Sequence, residues 1–172
     1  LILLAYVDRK KVFDTYADYY LSTSGQTYWS DTHQMSVYID EYRKFIDEKT
    51  GRKTPSSLMI SELYAPREKL TEFMNGAREI LRKNGTLVIY GTIRLIEKDD
   101  ETFLPWAKER YACVIFNLLV EHTEVGKKKA VDTFRALIDL SIKLGGSYYL
   151  TYHKWARKDQ VLACYPQMPE FF

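Results

Sequence analysis

Between residues 57 and 154 the spacing of apolar positions changes period repeatedly, and the changes predict strand, helix, strand, strand, helix, strand. The first strand is SLMISELY, residues 57–64. Pro66 suits the first position of the helix that follows, because its fixed φ and missing N–H are tolerated there. Leu70, Phe73, Met74, Ala77, Ile80 and Leu81 recur at i, i+3, i+4 spacing, and Asn84-Gly85 supplies a left-handed end. TLVIYGTIRLI (86–96) and YACVIFNLLVEH (111–122) are rich in β-branched and aromatic residues and read as the middle strands. Thr123 is placed to cap a second helix with Ala130, Phe134, Leu137, Ile138 and Ser141 on one stripe, ended by Gly145-Gly146 before the strand SYYLTYHK.

This order is that of a split β-α-β unit, so the expected fold is α+β. It is a four-stranded antiparallel sheet of ferredoxin-like type in the order four, one, three, two, with both helices on one face. Alternation then sorts the side chains. Met59, Ser61 and Leu63, then Leu87, Ile89, Gly91, Ile93 and Leu95, then Val114, Phe116, Leu118 and Val120 are expected under the helices, with Tyr148 and Tyr152 inward on the last strand. The opposite face is expected to stay open and to carry Glu62, Tyr64, Tyr90, Thr92, Arg94, Asn117, Tyr149 and His153 among apolar neighbours. Apolar walls with a few convergent polar groups suit a small-molecule site, and a guanidinium there holds an oxygen-bearing ligand. The same pattern also fits an ordinary half-exposed sheet with Glu62 and Arg94 as a surface ion pair of little energetic weight.

Residues 1–54 form a separate helical layer in this reading, followed by a sheet domain over residues 55–172 with a closing C-terminal helix. Phe13, Tyr16, Ala17, Tyr20 and Leu21 make one stripe after an Asp8 cap, and Tyr38, Tyr42, Phe45 and Ile46 a second that ends near Gly51; both read as core stripes. STSGQTYWSDTHQM between them is dense in turn formers, and Asp31 and His33 within it read as cap and turn residues. EKDDETFLPWAKER, joining the middle strands, is longer than a usual hairpin loop and suits a lid or an interface.

Charge and composition narrow the classes. Twenty-five Lys and Arg against 23 Asp and Glu leave a net charge of +2, which gives no basic footprint for nucleic acid and no adhesion to acidic membranes. The run Lys127 to Lys129 reads as a solvated helix face. Two cysteines make no disulfide framework, so a reducing, cytoplasmic setting is expected. The three histidines, His33, His122 and His153, have no Cys or His at ligand spacing, so no metal is expected. Apolar runs fall short of the ~18 residues of a membrane span. With 15% aromatic residues, a start at Leu1 and an end at PEFF, the chain reads as a piece of a longer protein whose aromatic surface meets another domain.

YGTIRLIEKDD, YACVIFNLLVEHT and GGSYYLTYHKWARKDQVLACYPQMPEFF together resemble the C-terminal substrate-binding, or cap, region of FAD-linked oxidases of the vanillyl-alcohol oxidase and p-cresol methylhydroxylase type. SGQTYWSDTHQ is similar to the bacterial branch of that superfamily. The resemblance implies an FAD-dependent oxidoreductase in which a substrate C–H, of an alcohol, is placed against the flavin while a base takes the hydroxyl proton. The flavin is held by an N-terminal FAD-binding domain that these residues do not include, and the fragment alone is inactive. Arg94 matches the strand arginine of such enzymes; with Glu62 and His153 of the open face it is expected to be catalytic, and Tyr90, Thr92, Asn117 and Tyr149 of that face are expected to bind substrate. Members that oxidise alditols and aldonolactones carry an acidic residue two positions before the strand arginine, where this chain has Thr92, and a His-Trp-x-Lys run where it has His153, Lys154 and Trp155. A homodimer through the uncovered sheet face is a further expectation. The alternative readings are an RNA-binding or small-ligand module of the same sheet plan, although Tyr111 and Phe116 lack the ring pattern that stacks bases.

Overall fold

The computed structural model describes residues 2–27 and 42–172. It divides into two compact units, Leu1–Pro55 and Ser56–Phe172. In the first, α1 (Ile2–Val7) is followed by α2 (Arg9–Ser22) and α3 (Tyr42–Thr50). Asp8 caps α2, its carboxylate accepting the Lys11 N–H at 3.0 Å. The α2 stripe is not a core stripe: no residue of that helix is buried, and Phe13 and Leu21 are 73% and 71% exposed. In α3 the apolar pair divides, with Ile46 fully buried and Phe45 exposed. Tyr38, Asp31 and His33 lie outside the described residues, as does the Tyr42 side chain.

The second unit is an α+β fold. β1 (Ser56–Pro66) leads through a 3₁₀ turn at Arg67–Lys69 into α4 (Leu70–Lys83), β2 (Leu87–Ile96) and β3 (Tyr111–Glu121). Then come α5 (Glu124–Lys143), β4 (Ser147–Tyr148), α6 (Lys158–Cys164) and α7 (Met168–Phe171). The sheet order is β2-β3-β1-β4, and every neighbouring pair is antiparallel. Pro66 ends β1 and precedes the 3₁₀ turn rather than opening α4, because its extended ψ of 139° keeps it out of the helix. The α4 and α5 stripes behave as their spacing requires. Phe73 and Ala77 meet Phe134, Leu137 and Ile138 in one cluster with Leu63, Val114, Phe116, Leu118 and Val120, so both helices cover the same sheet face.

Two departures from alternation decide what reaches the other face. A β-bulge falls between Val88 and Tyr90, where β2 gains Ile89 without a partner on β3. Before it, Leu87 pairs with Leu119 and Val88 with Leu118, so Val88 joins the helix-side core and Leu87 does not. After it, Tyr90, Thr92 and Arg94 pair with Asn117, Ile115 and Cys113 and face away from the helices, as expected. The second departure is β4, which stops after two residues. The chain turns at Leu150 to Tyr152, alternation lapses, and Tyr152 and His153 exchange the places expected of them.

The side away from the helices is also not bare. All of β3 except Glu121 is buried, and on that side Cys113, Ile115, Asn117 and Leu119 are each at most 7% exposed. Tyr64, Ala107, Tyr111, Cys113 and Ile115 form a second cluster there, with Ile60, Ile96 and Tyr149 against it. Ala107 belongs to the long loop between β2 and β3, so that loop is packed down as cover.

Candidate functional site

The second cluster contains one convergent polar group. Glu62 lies mid-strand on β1, opposite Ile115, with Tyr64 two residues along on the same face and Cys113 directly across from Tyr64. The Tyr64 hydroxyl donates to Glu62 Oε1 at 2.8 Å, and the Cys113 thiol donates to the same oxygen at 3.3 Å. Burial raises the Tyr64 phenol far above its ordinary pKa, and the hydrogen bond to Glu62 adds to the shift. Burial likewise pushes the Cys113 thiol up, with the Glu62 charge reinforcing it. Both groups therefore remain protonated donors at neutral pH, and Cys113 is not a nucleophile.

Tyr64 is held firmly. Its ring stacks on Tyr111 at 6.1 Å and 5° between planes, and the Tyr111 hydroxyl donates to the Gly145 carbonyl at 3.0 Å. Tyr149 extends the edge pairing through its N–H to the Glu62 carbonyl at 3.0 Å, and its ring lies between Trp106 at 5.4 Å and Tyr152 at 5.5 Å. Burial raises the Tyr152 pKa, with the Glu62 charge and the approach of the two side chains adding to the rise. Arg94 pairs across the strands with Cys113. Its side chain is exposed, and the Glu62 carboxylate is engaged by Tyr64 and Cys113 rather than by Arg94, which corrects the expected Glu62–Arg94 pair. The guanidinium still acts at longer range, opposing the rise of the Cys113 and Tyr152 pKa values. Tyr90 and Thr92 border the cluster half-buried. Asn117, opposite Tyr90, is 7% exposed and its Oδ1 is buried without a hydrogen-bond partner.

His153 is not on this face. Its ring lies 4.0 Å from Phe134 and 5.7 Å from Trp155, on the helix side, and burial pulls its pKa down to about 4. The cause of the displacement is the short β4, which releases the chain before residue 153. A depressed pKa means that the unfolded chain binds the proton more readily. The stabilising contribution of neutral His153 is thus complete above pH 6.5 and lost as pH falls toward 4. Urea unfolding of the wild type should accordingly lose stability across that window by on the order of 1–2 kcal/mol more than His153→Phe does. Equal slopes would show that His153 titrates in solvent.

A pocket of about 400 Å³ adjoins Tyr149, walled by Phe103, Leu104, Trp106, Leu150 and Phe171 with Asp99 and Thr102 at its rim. Its loop is braced. Asp99 accepts the Glu101 and Thr102 N–H groups at 3.1 Å each, and Gln167 donates to the Phe103 carbonyl at 2.9 Å. At the loop's base Glu97 receives Arg67 and Arg110, both at 2.8 Å, and these partners hold its pKa below the usual carboxylate value. The long connector therefore forms one wall of this pocket, held by these bonds.

No protein-family model and no curated protein matches the chain. The site is read from its own geometry. It brings together Glu62, Arg94, Tyr90, Thr92, Asn117 and Tyr149 of the residues expected from sequence, and leaves out His153. Tyr64, Cys113 and Tyr152 are additions to the expected catalytic and binding residues. For Tyr64 the sequence carries a signal, since a tyrosine at i+2 from a strand glutamate shares its face.

The same geometry tests whether these residues hold FAD themselves. A dinucleotide pyrophosphate needs open backbone N–H groups at a glycine turn leading into a helix. The first turn of α5 is closed instead: the Thr123 hydroxyl takes the Gly126 N–H at 2.9 Å, and a Cβ on Gly126 would lie 2.5 Å from the Glu121 carbonyl oxygen. The helix α4 is entered from Pro66 through the 3₁₀ turn, with no glycine there. Neither of these two helix entries offers that turn. Among the described residues there is also no group of three or more His, Cys, Asp or Glu placed to hold a metal ion, and no helix long and apolar enough to cross a membrane.

Proposed function

We propose that this chain is the substrate-facing cap region of a cytoplasmic FAD-linked oxidoreductase acting on an alcohol, with the flavin held by another domain of the same protein. One observation carries the reading. A carboxylate fixed by two buried donors and a guanidinium stand on the same side of a largely apolar and aromatic sheet face, with no ion pair between them. Opposite charges kept apart at an apolar surface are available to a ligand.

In this role Glu62 accepts from the substrate hydroxyl, and Arg94 holds the oxygen that gains negative charge. Tyr90 and Thr92 border the bound molecule, and Tyr149 separates it from the neighbouring pocket. The oxidising power belongs to the flavin; the chain contributes position and charge, and alone turns nothing over. The full-length protein should purify with the visible absorption of oxidised flavin and lose it on anaerobic addition of a primary or secondary alcohol that it oxidises. A full-length protein that neither contains nor binds FAD overturns the assignment.

A further inference from the structure

We infer that Tyr64 and Cys113 are positioning residues that commit one oxygen of Glu62 and leave the other to a hydroxyl donor of the substrate. The inference deepens the function proposed above and rests on it. Its basis is the convergence of two donors on a single atom. An ionised carboxylate offers about four acceptor sites over two oxygens. Here both buried donors take Oε1, at 2.8 and 3.3 Å, although nothing in a strand ladder obliges them to share it.

The arrangement is stiff where stiffness matters. Tyr64 and Cys113 are each 1% exposed, they are direct partners across β1 and β3, and Tyr64 is clamped by the Tyr111 stack. Donors carried on central strands hold a carboxylate more accurately than donors on loops. Their raised pKa values keep both in the donating form throughout the neutral range. Tyr152, by contrast, also reaches Glu62 but is 39% exposed and sits on the turn after β4, so it is the donor whose place a ligand hydroxyl can take. A structural reading of Tyr64 and Cys113 would treat them as core residues whose polar atoms are merely satisfied. It predicts that their loss costs the same whether or not Glu62 is a carboxylate.

A double-mutant cycle in the full-length protein separates the two. Tyr64→Phe keeps the ring stack and removes only the donor. It should lower kcat/KM about 10-fold, the size of one hydrogen bond to a charged group, and in a Glu62→Gln background it should cost less than about 2-fold. Cys113→Val should behave in the same way, with Cys113→Ser restoring activity. Equal losses in both backgrounds overturn the inference. A second readout needs no turnover. The S–H stretch of Cys113, assigned by its absence in Cys113→Ser, should move to higher frequency in this chain when Glu62 becomes Gln. An unmoved band overturns the thiol's part. A full-length protein without oxidase activity, but with the band shifted, refutes the proposed function while the Glu62 geometry stands.

Discussion

Replacing Arg94 by alanine in the full-length protein should lower turnover by ~10² to 10³ while leaving the fold untouched, because in the proposed role its charge holds the developing oxyanion in a site from which the flavin domain excludes water, and such a donor is worth that much. The two halves of this expectation come from different observations. The kinetic half rests on the place of Arg94 at mid-strand, across from Cys113 and on the Glu62 side of the sheet. The stability half rests on its exposure: an exposed side chain whose expected carboxylate is occupied elsewhere leaves no buried partner unpaired when it is removed. Arg94→Lys should recover only part of the rate, since an ammonium does not reproduce the planar guanidinium fork. Steady-state kinetics beside thermal unfolding of each variant checks both halves. Wild-type turnover in Arg94→Ala would make Arg94 an ordinary surface residue and move the site toward Glu62 and the pocket at Tyr149.

The parts of this fold that are legible in the sequence are those where one periodicity dominates. On α4 and α5 the apolar stripes repeat over three or more turns, and Phe73, Ala77, Phe134, Leu137 and Ile138 are buried where spacing puts them. The middle of β1 and all of β3 keep their phase because polar or small residues mark one face. At Leu87-Val88-Ile89 that contrast vanishes. Three consecutive aliphatic residues suit either face equally, so the bulge at Ile89 leaves no mark in the pattern. The C-terminal end of the sheet departs for a different reason. SYYLTYHK has good strand propensity throughout, but only Ser147 and Tyr148 take up strand pairing, opposite Tyr64 and Leu63, and Tyr149 adds one N–H bond to the Glu62 carbonyl before the chain turns away. Propensity reports that a residue suits a pleated surface, not that a neighbouring strand exists. That lapse sends His153 to the helix side and gives Tyr152 its place beside Glu62. The α2 stripe shows the reverse limit, since amphipathic spacing reveals a face able to be buried and not whether it is.

The β1–β4 junction that ends the sheet also carries the largest expected effect on stability. Gly146 passes so close to β1 that an added Cβ would lie 1.8 Å from the Tyr64 carbonyl oxygen and 2.8 Å from its carbonyl carbon. Backbone cannot yield as a side-chain tip would, so Gly146→Ala has to push β4 off the sheet edge and break the Tyr64–Ser147 and Leu63–Tyr148 pairing. The expected cost is about 3 kcal/mol, at the upper end for overpacking, and lowers the midpoint of thermal unfolding by roughly 6–12 °C. Gly85→Ala is the control. Gly85 ends α4 at φ +57° with nothing within 4 Å of an added Cβ, so its penalty is backbone strain alone, about 1 kcal/mol. The two variants differ in function as well. Moving β4 disturbs the main chain of Tyr64, and with it the donor that fixes Glu62, so Gly146→Ala should lose kcat/KM in the full-length protein below its unfolding temperature whereas Gly85→Ala should not. Equal stability losses in the two variants would show that β4 does not approach β1 this closely, and that Tyr64 is held by its stack on Tyr111 alone.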